Sequence, residues 1–166
     1  MEQEILFRAK AINRDAKSLR TNYKNGDWVY GLVTRLYDER FENLVAEMTN
    51  TSGVSCIEVD YKTVGRFTGL TDRNGIKIFE GDCLRSIKES GFSIVQHGLF
   101  IPQFFYECVY EAKGFDLRNK VFGFYCEDSI TKEQLLLTDY VSDAFVVIGN
   151  IHDNPELLKG EANENV

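Results

Sequence analysis

Proline is nearly missing from this chain, with 2 residues in 166. That scarcity excludes polyproline linkers and leaves chain reversal to glycine, of which there are 13. Also lacking is any run of about 18 apolar residues, so no membrane-spanning helix is expected. The opening MEQEILFRAK carries acids and no long apolar stretch, so no signal peptide is expected either. There is no Cys-x-x-Cys: the cysteines are Cys56, Cys83, Cys108 and Cys126. The two histidines, His97 and His152, have no neighbouring Cys or His. Paired zinc ligands are therefore wanting, no metal or cofactor is expected, and the thiols are expected to be reduced, in a cytoplasm.

Positive charge is not in excess. The net charge is −7, which argues against a protein whose main affinity is for nucleic-acid phosphates. Residues 127–166 hold nine acids against Lys132 and Lys159, so the remainder is neutral. The segment from Arg8 to Lys24 has six basic residues opposed only by Asp15. Arg8, Lys10, Arg14, Lys17 and Arg20 are the candidates for phosphate contacts, and a solvated edge strand and turn is the plainer reading.

What is present reads as β structure. Hydrophobic residues make up 43% and aromatic residues 13%, enough for one domain or one with a small appended part. In EILFRAKAI, Ile5, Phe7, Ala9 and Ala11 fall on one face and Arg8 and Lys10 on the other, the period of a half-buried strand. Asn25-Gly26 suits a tight turn before WVYGLVTRLY, a second strand. Residues 39–51 fit a helix through Phe41, Leu44, Val45 and Met48, or a strand through Leu44, Ala46 and Met48. SCIEVD, CLRSIKE, FSIVQHG, FIPQFFYECVYEA, KVFGFYCE and AFVVIGNI are further short strands, a spacing that suggests an antiparallel barrel or sandwich. Asn154-Pro155-Glu156 should open one short helical turn.

The densest pattern is TVGRFTGLTDRNGIKIFEGDCLR, Thr63 to Arg85. Its glycine spacing matches neither phosphate-binding fingerprint. As a calcium loop it would place Leu70 and Gly81 at ligand positions, where neither side chain has an oxygen to offer. Asp72, Asn74 and Gly75 instead make a hairpin turn between two β-rich flanks, with Gly75 taking positive φ. Glu80 and Asp82, two apart, share a face if the strand is continuous, and would then offer paired carboxylates. If Gly81 breaks the strand, Asp82 bonds backbone in a turn. Asp60-Tyr61-Lys62 after Glu58 has the form of half a metal-dependent nuclease site, without a matching upstream acid in a strand–helix framework.

Three segments carry a resemblance: Phe7-Arg8-Ala9 followed by Trp28-Val29-Tyr30-Gly31; the run Thr63 to Asp82; and Val147 to Leu158 at the end. In this order the chain resembles the YopX-like proteins of bacteriophages and prophages over nearly its whole length. It departs in having Tyr61-Lys62 where the family has Pro-Glu, Cys83 where it has an aliphatic residue, and a longer connection from Asn13 to Asn25. The resemblance implies a mainly β protein of antiparallel strands, with an SH3-like barrel in the C-terminal part and no established catalytic residues.

The resulting expectation is a β-rich N-terminal part over 1–62, an SH3-like part over 63–158 and a flexible acidic tail over 159–166. The expected function is that of a non-enzymatic phage or prophage accessory protein in the cytoplasm. It would bind another macromolecule, a host or phage protein, and form homo-oligomers. A nucleic-acid-binding protein is the first alternative and a metal-dependent nuclease the second.

Overall fold

The computed structural model describes residues 5–13, 23–38, 44–53, 56–87, 91–100, 121–137 and 144–159. Arg14, Lys17, Arg20, Cys108 and most of the acidic tail lie outside them. The chain forms two compact units, Met1–Phe67 and Thr68–Val166.

The first unit contains β1 (Phe7–Lys10), β2 (Trp28–Asp38), β3 (Leu44–Asn50), β4 (Ile57–Asp60), a 3-10 turn (Tyr61–Thr63) and the start of β5 (Gly65–Thr71). Hydrogen bonding runs in the order β4-β3-β2-β1-β5, antiparallel throughout. The residues that fit either a helix or a strand form β3, in which Ala46 and Met48 are fully buried. With Ala9, Ala11, Val29, Ile57 and Val59 they make the core of this unit.

Alternation explains β2. Val29, Gly31 and Val33 turn toward that core, while Tyr30 and Leu32 stay exposed, as a period of two demands. Gly31 has a steric reason of its own: a Cβ there would overlap the carbonyl oxygen of Thr49 on β3. One extra residue between Val33 and Arg35 shifts the β2–β3 register, as a β-bulge does. The Asn25-Gly26 turn closes through Asp27, whose N–H reaches the Lys24 carbonyl and whose carboxylate accepts the Lys24 N–H.

β1 is not the solvated edge expected of it. It lies between β2 and β5, so both its neighbours cover it, and Arg8 is buried with Ala9. Ile5, expected on the apolar face, is 61% exposed because β1 begins only at Phe7.

The second unit holds the rest of β5, then β6 (Lys77–Phe79), β7 (Asp82–Ser86), β8 (Ser93–Phe100), β9 (Val121–Asp128), β10 (Gln134–Leu136) and β11 (Phe145–Asn150). Its sheet runs β10-β9-β8-β7-β11, again antiparallel. Ile78, Leu84, Val95, Cys126 and Leu137 form its core. A 3-10 turn at Leu157–Lys159 follows Asn154 and Pro155, with the Leu157 N–H on the Asn154 carbonyl. This is the short helical turn the sequence predicts.

The protein is mainly β, with two antiparallel sheets. Among the described residues neither closes into a barrel, so the SH3-like closure expected over 63–158 is not found. β10 and β11 stand at opposite ends of their sheet, and among the described residues no ladder joins them.

Met48 is fully buried beside Ala46 and Val59, so truncation leaves a cavity that rigid strands cannot fill. Met48→Ala is expected to cost about 2–5 kcal/mol in urea unfolding, with a mainly unchanged m-value.

Candidate functional site

The turn chemistry of the second unit converges on Asp72, which is 4% exposed. Its Oδ1 accepts the N–H groups of Asn74 at 2.8 Å and Ile76 at 2.9 Å. Two backbone bonds close the same turn, Asp72 N–H to Ile76 O and Gly75 N–H to Asp72 O. Gly75 takes φ +80°, as the hairpin requires. The other oxygen, Oδ2, accepts the N–H of Val147 at 2.9 Å, 75 residues away on β11. Beside it the Arg73 N–H reaches the Phe145 carbonyl. One carboxylate thus shapes the β5–β6 turn and fastens β11 to it.

Glu80 and Asp82 do not form a pair on one strand. β6 ends at Phe79 and β7 begins at Asp82, with Gly81 between them at φ +84°. Asp82 is 1% exposed and its Oδ2 accepts the Phe79 N–H at 2.8 Å, while Glu80 is half-buried in the turn. The two-residue spacing carries a shared face only where the strand continues, and here it does not.

The closing segment locks onto the same turn. The Ile151 N–H donates to the Gly81 carbonyl at 2.9 Å. Asn150 Oδ1 accepts from the backbone of His152 and Asp153, and its amide donates to Asp153. Asn154 Oδ1 accepts the Asn150 N–H. Gly149 is required because a Cβ there would overlap the Asn154 side chain.

In the first unit, Lys10 stands directly across from Trp28. Its ammonium lies 4.6 Å from the indole centroid and the Arg8 guanidinium 4.7 Å, within cation–π range. Two of the five phosphate candidates are thus engaged on one indole; Arg14, Lys17 and Arg20 lie outside the described residues. The Asp60-Tyr61-Lys62 pattern is a cap. Asp60 Oδ1 accepts the Lys62 N–H at 3.0 Å and starts the 3-10 turn, and the Tyr37 hydroxyl bonds Glu58. Among the described residues no group of three His, Cys, Asp or Glu is placed to hold a metal ion.

The thiols differ. Cys83 and Cys126 are buried, Cys56 is exposed. Burial pushes the Cys126 thiol up to about 11, which keeps it neutral and poorly nucleophilic at neutral pH. The hydroxyl of Tyr125 is likewise raised by burial, then by Glu127 and Glu80, and it donates to Gln96 Oε1 at 2.8 Å. His97 packs its ring 4.5 Å from that of Phe124.

The family model described as YopX protein matches residues 22–159. The chain belongs to the YopX family. Comparison with curated proteins finds none that matches it. The matched span includes the two signature segments whose ends are joined by Asp72 and Gly81, so the features that mark this YopX-family chain in sequence are features that hold its second unit together. Sequence reasoning placed the Asp72 turn but not its bond to Val147, since nothing local announces a partner 75 residues on. The two cations on Trp28 were missed because the Asn13–Asn25 connection hides the pairing of β1 with β2.

Asp72→Ala removes the acceptor for three backbone N–H groups at a buried position. It is expected to lower stability by about 2–4 kcal/mol, with Asp72→Asn intermediate because one carbonyl acceptor remains; urea unfolding measures both. Asp128 supplies a pH dependence. Burial pushes its carboxyl up, but the N–H groups of Thr131 and Ile130, the Thr131 hydroxyl and Lys132 outweigh that and leave it below the usual carboxylate range. A lowered folded pKa contributes stability that is present above the ordinary carboxylate pKa and lost as pH falls through the folded value. The stability gap between the wild type and Asp128→Asn should therefore be widest near neutral pH and shrink in acid, as read by thermal melts across pH 2–7.

Proposed function

We propose that the protein is a non-enzymatic accessory module of a phage or prophage that works by binding another macromolecule and by self-association. The observation that carries this reading is the outer face of β2. Tyr30 is 41% exposed and Leu32 49%, side by side on one face of an 11-residue strand, with the Trp28 indole and its two cations next to them. Adjacent exposed apolar groups on a rigid sheet are what a protein partner covers. Of the acids that a catalytic reading would recruit, Asp60 and Asp82 accept backbone N–H groups. A phage or prophage origin and a bacterial cytoplasmic setting are what the family suggests. Residues 63–158 are proposed to be an SH3-like relative.

Nucleic-acid binding is the rival that one observation favours, since Lys10 remains half-exposed over Trp28 and cation-flanked aromatics can stack bases. A labelled single strand that binds tightly at low salt and is released by salt would favour it. Degradation of DNA or RNA by purified protein with magnesium or manganese would instead revive nuclease chemistry.

Affinity capture from phage-infected cells tests the main reading. The double variant Tyr30→Lys/Leu32→Lys should keep its far-UV spectrum and melting temperature to within a few degrees, yet lose at least tenfold of the partner that the wild type captures. Undiminished capture by the folded variant would overturn the assignment of this face.

A further inference from the structure

The second unit contains a cavity of about 170 Å³ that the proposed β2 surface does not use. Phe92 and Phe145 wall it, Cys126 lies among its lining, and Asp128, Glu133 and Gln134 supply its polar side. The volume suits the end of one side chain; cofactor-sized pockets run to about 300–1,000 Å³. Asp128 divides its carboxylate. Oδ1 accepts the N–H groups of Ile130 at 2.8 Å and Thr131 at 2.7 Å, which fixes the group rigidly. Oδ2 lies beside Gly91, a further lining residue, 4.0 Å from where a Cβ would stand. Glu133 adds a second, exposed carboxylate, and Gln134 holds the neighbouring Glu127 through its amide at 2.9 Å. Lys132, exposed and next in sequence to Glu133, is a cation close enough to favour the Asp128 carboxylate. The Cys126 thiol is neutral, so it offers the cavity neither a charge nor a nucleophile.

A fixed carboxylate in a cavity also lined by two phenylalanines selects a cation with a flat, weakly hydrated head. Guanidinium meets that description better than ammonium, because it stacks on rings while donating to a carboxylate. We propose that this cavity receives an arginine side chain presented by a partner protein, with Asp128 as the ionic anchor and Phe92 and Phe145 as the walls. Charge complementarity selects that occupant over an acidic or neutral one. The inference deepens the macromolecule-binding reading and rests on it, adding a second contact of defined chemistry.

The test titrates blocked arginine (N-acetyl-arginine amide) into the full chain and follows backbone amide shifts, with blocked citrulline, its neutral isostere, and magnesium chloride at matched ionic strength as comparisons. Saturable shifts at Gly91, Phe92 and Asp128 with arginine alone are expected. Asp128→Asn should weaken them at least tenfold. Because that variant also loosens the turn, Glu133→Gln, at an exposed position, is the second probe and should weaken binding severalfold with the fold intact. Equal response to citrulline, no response to arginine, or an equal response to magnesium would each overturn the proposal. Capture of the cellular partner that is unchanged in Glu133→Gln and Asp128→Asn would remove the cavity from the account while leaving the binding reading standing. Loss of capture in Tyr30→Lys/Leu32→Lys with arginine shifts intact would separate the two surfaces in the other direction.

Discussion

The carboxylate of Asp72 is the constraint on which the second unit depends. A buried acid is tolerated when its charge is met by hydrogen-bond donors, and here three backbone N–H groups meet it. Two of them belong to the turn that aspartate opens, so local geometry and long-range attachment share one group. The third fixes β11 where its register against β7 is irregular, between Val147 and Gly149. A bulged strand leaves backbone donors unpaired, and a side-chain oxygen supplied from elsewhere restores the pairing. Asp82 and Asn150 repeat the device nearby, each bonding backbone within a few residues of itself.

This arrangement bears on how the family signature is read. Glycines and acids packed into a short run resemble a ligand loop, because sites and tight turns draw on the same residue types. The distinction lies in where the oxygens go. In this chain Asp60, Asp72 and Asp82 each accept peptide N–H groups, so each shapes the backbone of its own turn. Tyr30 and Leu32 are exposed on β2, and a cavity in the second unit is lined by Phe92, Phe145 and the fixed carboxylate of Asp128.

Much of the fold was legible in sequence wherever a short-range rule decided it. The alternation in WVYG, the Asn25-Gly26 and Asn74-Gly75 turns and the Asn154-Pro155 turn appear where the residues place them. The hairpin at Asp72, Asn74 and Gly75 was legible for the same reason. What was not legible depended on contacts distant in sequence. Arg8 and Lys10 read as a solvated strip because nothing near them shows that Trp28 will lie alongside. Residues 39–51 satisfied two periodicities, and pairing with β2 and β4 decided for a strand. The Glu80–Asp82 pair needed a continuous strand, and a single positive φ at Gly81 removed it. Barrel closure is not found among the described residues, and strand spacing could not have decided it, because it counts strands without saying which of them meet.

Native-state hydrogen exchange tests the central claim, that one buried carboxylate joins the turn to β11. Asn74, Ile76 and Val147 share a single acceptor group, so their amides should open together as one cooperative unit, with the same protection and the same denaturant dependence. Exchange of Val147 that is fast, or that is insensitive to denaturant while Asn74 and Ile76 stay protected, would contradict it.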